Sequence, residues 1–464
     1  MTNQQNIKMR TLLSLFLCLV TLSLSAQKED EAQIRKIFDE ALERGESYEM
    51  LRYLTKEIGG RLSGSPQAAA AVEWSRQQMM AYGFDTVYLQ PVMVPHWVRG
   101  DRELGRIVNS KKLGSQEVKV VSLGNAVGTG PEGTLGQVIE VKDFQELAEL
   151  GRAKIEGKIV FFNKAMDAKL IDTFRAYGGA SGQRGSGPSE AAKYGAIGAI
   201  VRSLSSFKDD VPHTGSTNYG LNVPKIPAVA ISTNDADLLS GLLSDDEALE
   251  FYFETSAQML PEVLSYNVVG EIRGSEYPEE IIAVGGHLDS WDLSEGAHDD
   301  GVGCVQSIEV LRLMQAVGYK PKRTMRAVMF MNEENGLRGG RKYAEIAEEN
   351  NENHIAAMES DRGGFLPIGF GISGTAAEQE KLLSWSALFQ PYGIYQFKKG
   401  GGGADISPLR TQNVPTISFI PDGQRYFKYH HTGIDNFEAV NQRELEMGAA
   451  AMASVIYLID KYGL

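Results

Sequence analysis

Two short runs in the second half of the chain, Gly286-His287-Leu288-Asp289-Ser290 and Ala297-His298-Asp299-Asp300-Gly301, bring imidazole and carboxylate groups close together. Three more stations of the same chemistry follow in order: Glu333-Glu334, Glu359-Ser360-Asp361 and His430-His431-Thr432-Gly433-Ile434-Asp435. Imidazole nitrogens and carboxylate oxygens are ligands that zinc takes, and a hydrolytic zinc site keeps one position open for water. A pair of such ions needs two imidazoles, three carboxylates and a spare carboxylate as general base. One acid at a helix start would be an ordinary cap, and one histidine at a strand end would be unremarkable. Five stations in series, most of them just past an apolar run, point to a two-metal hydrolytic centre.

Each residue has a role that its type and place allow. His287 is a candidate ligand, and Asp289, two residues on, is a carboxylate that would fix the orientation and basicity of that imidazole. Asp299 has two oxygens with which to bridge two metals, leaving Asp300 to cap the helix that follows. Glu333 and Glu334 are neighbours leaving a strand, so they point to different sides. One can bind metal while the other faces water, and the residues alone do not say which. Asp361 ends a buried strand, a costly place for an uncompensated acid. His430 and His431 are both open as ligands. His96, His213, His298 and His354 have no such company, although His298 is placed to support the centre from behind.

Positioning these stations requires strands that end together. Ile281 to Gly286 reads as a buried strand and Val302 to Met314 as an apolar-periodic helix. Arg326 to Met331 is a further strand, Leu337 to Glu348 a helix, and His354 to Met358 and Pro415 to Ile420 two more strands. Arg443 to Tyr462 closes the chain as a helix. This alternation predicts an α/β fold with a mostly parallel sheet covered by helices on both faces. Ligands in such sheets bind beyond the carboxyl ends of the strands, where the stations fall. Nearer the start, residues 30–43 and 68–82 read as helices and Asp85 to Leu89 as a strand.

From about Gly128 to Glu254 the texture changes to short strands among glycine-rich loops. This stretch carries no obvious chemistry and reads as an inserted, mostly β module. Gly178 to Pro188 is rich in Gly and Ser and reads as a mobile loop. The expected division is therefore residues 27–127 and 259–464 for one split domain and 128–258 for the insert.

Lys8 and Arg10 precede an apolar run from Leu12 to Leu24 and then Ser25-Ala26-Gln27. That order describes a signal peptide over residues 1–26, too short for a comfortable membrane span, and predicts a periplasmic or extracellular protein. The two cysteines are Cys18 and Cys304. Losing the first with the signal leaves Cys304 without an internal partner. Composition is that of a globular protein, 42% hydrophobic and 23% charged over 464 residues. A net charge of -14 with no basic cluster argues against a nucleic-acid partner. A homodimer stays open.

These stations resemble the co-catalytic di-zinc aminopeptidase family, and most closely its carboxypeptidase Q-like branch. Leu54-Thr55-Lys56-Glu57-Ile58-Gly59-Gly60-Arg61-Leu62-Ser63-Gly64-Ser65 and Pro95-His96-Trp97-Val98-Arg99-Gly100 are similar to that branch too. The resemblance implies two zinc ions per chain held by His287, Asp299, Glu334, Asp361 and His431, with Asp299 as the bridge. It makes Glu333 the general base and selects His431, the histidine directly before Thr432, over His430. It also implies that the insert is a protease-associated domain and that the substrate is a peptide, cut by an aminopeptidase or dipeptidase. Gly403-Ala404-Asp405-Ile406-Ser407-Pro408 is similar to a loop near the substrate but departs from the family's usual Ser-Asp-His form. Carboxypeptidase-type specificity on the same site, and a non-catalytic binding protein on the same fold, are the alternatives.

Overall fold

A computed structural model describes residues 27–464; the expected signal segment and Cys18 lie outside the described residues. In chain order, β1 (Thr86–Val98) opens the first sheet. The chain then leaves it for β2 (Glu103–Ser110), β3 (Gly114–Val118), β4 (Val120–Ser122), β5 (Thr134–Val141), β6 (Ile159–Phe162), β7 (Gly198–Arg202), β8 (Ala228–Ile231) and β9 (Glu250–Thr255). It returns through β10 (Gln258–Ile272), β11 (Tyr277–His287), β12 (Arg323–Phe330), β13 (Asn353–Glu359), β14 (Pro367–Ser373), β15 (Gln396–Lys399) and β16 (Thr416–Pro421).

The first sheet has the order β1-β10-β12-β11-β13-β16-β14-β15. Its four central strands, β12, β11, β13 and β16, run parallel, and antiparallel pairs flank them. Alternation along the central strands builds two cores at once. Ile282 and Val284 of β11, with Met325, Ala327 and Met329 of β12, face helices Val302–Ala316 and Gln442–Tyr462. Ala283, Val328 and Phe330 face the opposite way, onto Tyr343, Ala344 and Ala347 of helix Arg338–Glu349. The near-continuous apolar character of these strands follows from burial on both faces.

The second sheet, β3-β2-β9-β5-β6-β7-β8-β4, holds every strand from β2 to β9. Two corrections follow. This unit begins at Glu103 rather than near residue 128, because β2 and β3 form a hairpin whose inner strand pairs with β9; no change of composition marks that start. It also carries helices Phe144–Ile155, Thr173–Ala180, Gly187–Lys193 and Thr233–Asp245, with β5 to β8 running parallel, so it is less purely β than its sequence suggests. Gly178 to Pro188 is not a loose loop. It runs through the helical segments Thr173–Ala180, Gly182–Gly185 and the start of Gly187–Lys193, and buries Gln183 and Arg184. Phe365, Tyr426 and Phe427 of the first unit pack with Met166, Ala176 and Leu204 of the second, so the two share a core.

Candidate metal centre

The parallel strands end where the chemistry is. His287 is the last residue of β11, Glu333 and Glu334 leave β12 after Met331 and Asn332, and Asp361 lies two residues past β13. Asp299 precedes helix Val302–Ala316, and His431 follows the turn Tyr426–Tyr429 beyond β16. All are buried or nearly so; Asp361 and Glu333 are the more open.

Asp299 lies at the middle of the group. Its Oδ1 is 3.3 Å from His287 Nε2, and its Oδ2 is 3.4 Å from His431 Nε2. Asp361 Oδ1 is 3.6 Å from the same His287 nitrogen, and Glu334 Oε2 is 3.1 Å from His431 Nε2. Two sets of donor atoms converge, His287 with Asp299 and Asp361, and Asp299 with His430 and His431, each set within 4.8 Å. Asp299 belongs to both. His430 stacks on His431 with ring centroids 3.6 Å apart, but its Nε2 is 3.9 Å from Asp299 Oδ2, farther than that of His431.

The loops are held by main-chain contacts. The buried Asp289 carboxylate accepts hydrogen bonds from the N–H groups of Asn332 (2.6 Å), Glu333 (3.0 Å) and Glu334 (3.3 Å). His287 Nδ1 instead meets the Asp289 carbonyl at 2.8 Å. The Asp289 side chain therefore sets the glutamate loop, and its backbone orients the imidazole, a division of labour not evident from spacing. Asp300 accepts from the N–H groups of His287 and Gly303, tying the strand end to the helix start. Fully buried Arg61 donates to the carbonyls of Leu288, Glu295 and Gly296, which explains why the N-terminal Gly-Gly-Arg run accompanies the centre. His298 accepts from the Gly364 N–H and stacks on Phe365, 4.3 Å between centroids, so it braces the centre from behind. Asp405 is buried against Gly340 with both carboxylate oxygens unpartnered.

This many acids in one buried place call for cations. Asp299 Oδ2 and Glu334 Oε1 are buried with no hydrogen-bond partner. Burial first, and then the neighbouring Asp361, Asp289 and Asp299, push the Glu333 carboxyl up to about 8. Burial and Asp299 likewise raise Glu334 well above the usual carboxylate range. Burial alone would lower His287, yet Asp299 and Asp361 outweigh it and hold the imidazole's protonation well above its ordinary range. Burial lowers His430 to about 3 and takes His431 well below its usual range, so both present neutral nitrogen. The neutral nitrogens of His430 and His431, an imidazolium at His287 whose proton a cation would displace, carboxylates that resist ionising without a counter-charge, and orphaned oxygens fit a pair of metal ions.

Four residues that spacing gave no reason to single out come from the second unit. Thr214 N–H donates to the His431 carbonyl at 2.9 Å, and His431 Nδ1 is 3.3 Å from the Thr214 carbonyl. Arg184 Nη1 is 3.2 Å from His431 Nδ1, and Arg184 Nη2 donates to Tyr177 Oη at 2.5 Å. His213 is fully buried there with both ring nitrogens unpartnered. The only available signal was the Gly-Gln-Arg-Gly run, where a charged residue sits in a glycine-rich context.

Comparison with known proteins gives the family. The model of "Peptidase family M28" matches residues 267–456. Carboxypeptidase Q of Bos taurus is 36% identical over 413 residues, covering 89% of this chain and 85% of the bovine protein. The crystal structure of a peptidase M28 precursor from Shewanella amazonensis superposes with a TM-score of 0.88 at 32% identity, covering 94% of this chain and 97% of that one. An aminopeptidase from Aneurinibacillus shares the fold, with a TM-score of 0.62 at 20% identity over 91% and 95% of the two chains. The chain belongs to peptidase family M28 and is a zinc metallopeptidase, a chemistry that its buried imidazoles and carboxylates fit.

Proposed function

We propose that the protein is an exported di-zinc exopeptidase that hydrolyses peptides or dipeptides, with His287, Asp299, Glu334, Asp361 and His431 as ligands. The observation that carries this reading is the position of Asp299, whose two oxygens face different imidazoles, one beside Asp361 and the other beside Glu334. When bound, zinc supplies polarisation of the scissile carbonyl and lowers the pKa of water towards about 7.

The chain's residues do the rest. Asp299 would be shared by the two positions, and the Asp289 carboxylate holds the Glu333–Glu334 loop by its N–H groups, with the Glu334 side chain at His431. Glu333 takes the proton from the attacking water and passes it to the leaving amine. Its carboxylate accepts no hydrogen bond from the described residues, which leaves it free for that exchange. We read residues from Glu103 to Thr255 as a protease-associated domain. The basic flank and apolar run before residue 27 support export to the periplasm or beyond, and no described helix is long and apolar enough to cross a membrane.

The aminopeptidase or dipeptidase mode is supported by the shared fold with the Aneurinibacillus aminopeptidase. Carboxypeptidase-type specificity is the second reading, favoured by the name of the bovine relative. Digestion of free dipeptides and of N- or C-terminally blocked peptides, with and without chelator, separates them. Turnover of C-blocked but not N-blocked peptides supports the first, and the reverse supports the second. No chelator-sensitive turnover of any peptide would reject both.

A further inference from the structure

The second unit does more than cover the centre: it holds one of its ligands. His431 has φ +63, in the left-handed region that a residue with a side chain enters only at a cost. Two contacts with Thr214 oppose that cost, its N–H to the His431 carbonyl and its carbonyl against His431 Nδ1. Nδ1 has two neighbours, the Thr214 carbonyl at 3.3 Å and Arg184 Nη1 at 3.2 Å. With its proton given to the carbonyl, Nε2 is left bare toward Asp299 and Glu334, the tautomer a metal needs, and Arg184 then serves the carbonyl rather than the ring.

Arg184 completes this clamp. Its Nη1 donates to the same Thr214 carbonyl at 3.4 Å, and its Nη2 reaches Tyr177 Oη, whose ring stacks on Phe427 with centroids 4.9 Å apart. The guanidinium lies against Gly215, where a Cβ would come within 2.5 Å of its central carbon; only glycine, at φ +127, leaves that space. Arg184 is buried, its Nε has no partner, and among the described residues no carboxylate pairs with it. A buried guanidinium without a counter-ion is costly. The fork-shaped group can hold a carbonyl and a phenol at once, as a lysine cannot.

We propose that Arg184 is a positioning residue through which the second unit sets the metal affinity of the His431 position. The inference rests on the reading of His431 as a ligand. Its motive is the chain of contacts Tyr177–Arg184–Thr214–His431, three members of which belong to the second unit.

The test is competition between the full-length protein and a chromogenic chelator for zinc, together with the visible spectrum of the cobalt-substituted protein. Arg184→Gln should weaken one of two zinc positions by roughly 10–100-fold while the other is kept, as loss of a partner behind a ligand does. Its cobalt bands should shift, and excess zinc should restore kcat. Arg184→Lys should recover part of the affinity, and Tyr177→Phe should lose less than Arg184→Gln. Arg175→Ala, an exposed arginine of helix Thr173–Ala180, should leave affinity unchanged. A folded Arg184→Gln that holds both zinc ions with undiminished affinity overturns the proposal. If that variant does not fold, wild-type affinity in both Arg184→Lys and Tyr177→Phe overturns it equally. His431→Ala separates the two levels: if it too leaves affinity intact, the ligand assignment itself has failed.

Discussion

Replacing Glu333 by glutamine separates binding from chemistry more cleanly than any other single change. The substitution keeps the shape of the side chain and the N–H that donates to Asp289 at 3.0 Å, and it breaks no side-chain hydrogen bond among the described residues. It removes the carboxylate proposed to accept a proton from water. General-base contributions run to about 10²–10⁴-fold, which at about 1.36 kcal/mol per decade is a barrier raised by roughly 2.7–5.5 kcal/mol. Burial and the adjoining acids push Glu333 up to about 8, so at neutral pH the metal-free protein already holds it largely uncharged and the neutral amide adds no new penalty. The expected pattern has three parts: kcat falls by two to four decades, zinc content is unchanged, and the apoprotein melts no lower than wild type. Steady-state hydrolysis of a dipeptide, metal analysis and calorimetry read them in turn. A variant that loses zinc, or keeps kcat within about tenfold, refutes the assignment; if Glu334→Gln then keeps its zinc, the two roles are exchanged.

Other perturbations test neighbouring parts. His431→Ala should weaken zinc binding far more than His430→Ala, since only His431 Nε2 lies near both Asp299 and Glu334; equal losses in a chelator titration contradict this. Glu359, Glu333 and Asp435 are raised by burial to about 7, 8 and 8, above their unfolded values. Such groups bind more protons folded than unfolded, so metal-free stability should fall as pH rises from about 5 to about 8, and denaturant unfolding should show it. Zinc should replace those protons, and calorimetric titration in two buffers of different ionisation enthalpy should find net release; no buffer dependence would count against it. Arg61→Ala removes the side-chain donor to the Leu288, Glu295 and Gly296 carbonyls, of which Gly296 keeps the Gly301 N–H, and should cost on the order of 3 kcal/mol in urea unfolding, with an undiminished midpoint as the contrary result.

How much of this could be read in advance depended on whether the information was local. The candidate stations stood out because most follow an apolar strand and each is chemically conspicuous. The fold brings His287, Asp299, Glu334, Asp361, His430 and His431 together, while the preference for Glu334 and His431 came from the family resemblance rather than from the residues. The parallel centre of the first sheet was legible for the same reason, since strands buried on both faces read as continuous apolar runs. What escaped was set by tertiary context. The pairing of β1 with β10 joins segments separated by the whole second unit, and the polar start of β10 hid the strand. The hairpin of β2 and β3 carries no composition break, so the unit's start was placed too late. Gly182 to Gly185 reads as a loop because glycine disfavours helix, yet packing overrides that preference and buries Arg184 beside His431. The carbonyl, rather than the carboxylate, of Asp289 against His287 is a main-chain contact that side-chain spacing could not reveal.

The central claim is that two zinc ions, held about the Asp299 carboxylate, are what makes this chain a peptidase. Metal analysis of the purified protein, paired with dipeptide hydrolysis before chelation, after it and after zinc is returned, tests that most directly. The account predicts about two zinc ions per chain, loss of hydrolysis as they are removed and recovery as both are restored. Undiminished hydrolysis by the metal-free protein, or full activity with Asp299 replaced by alanine, would contradict it.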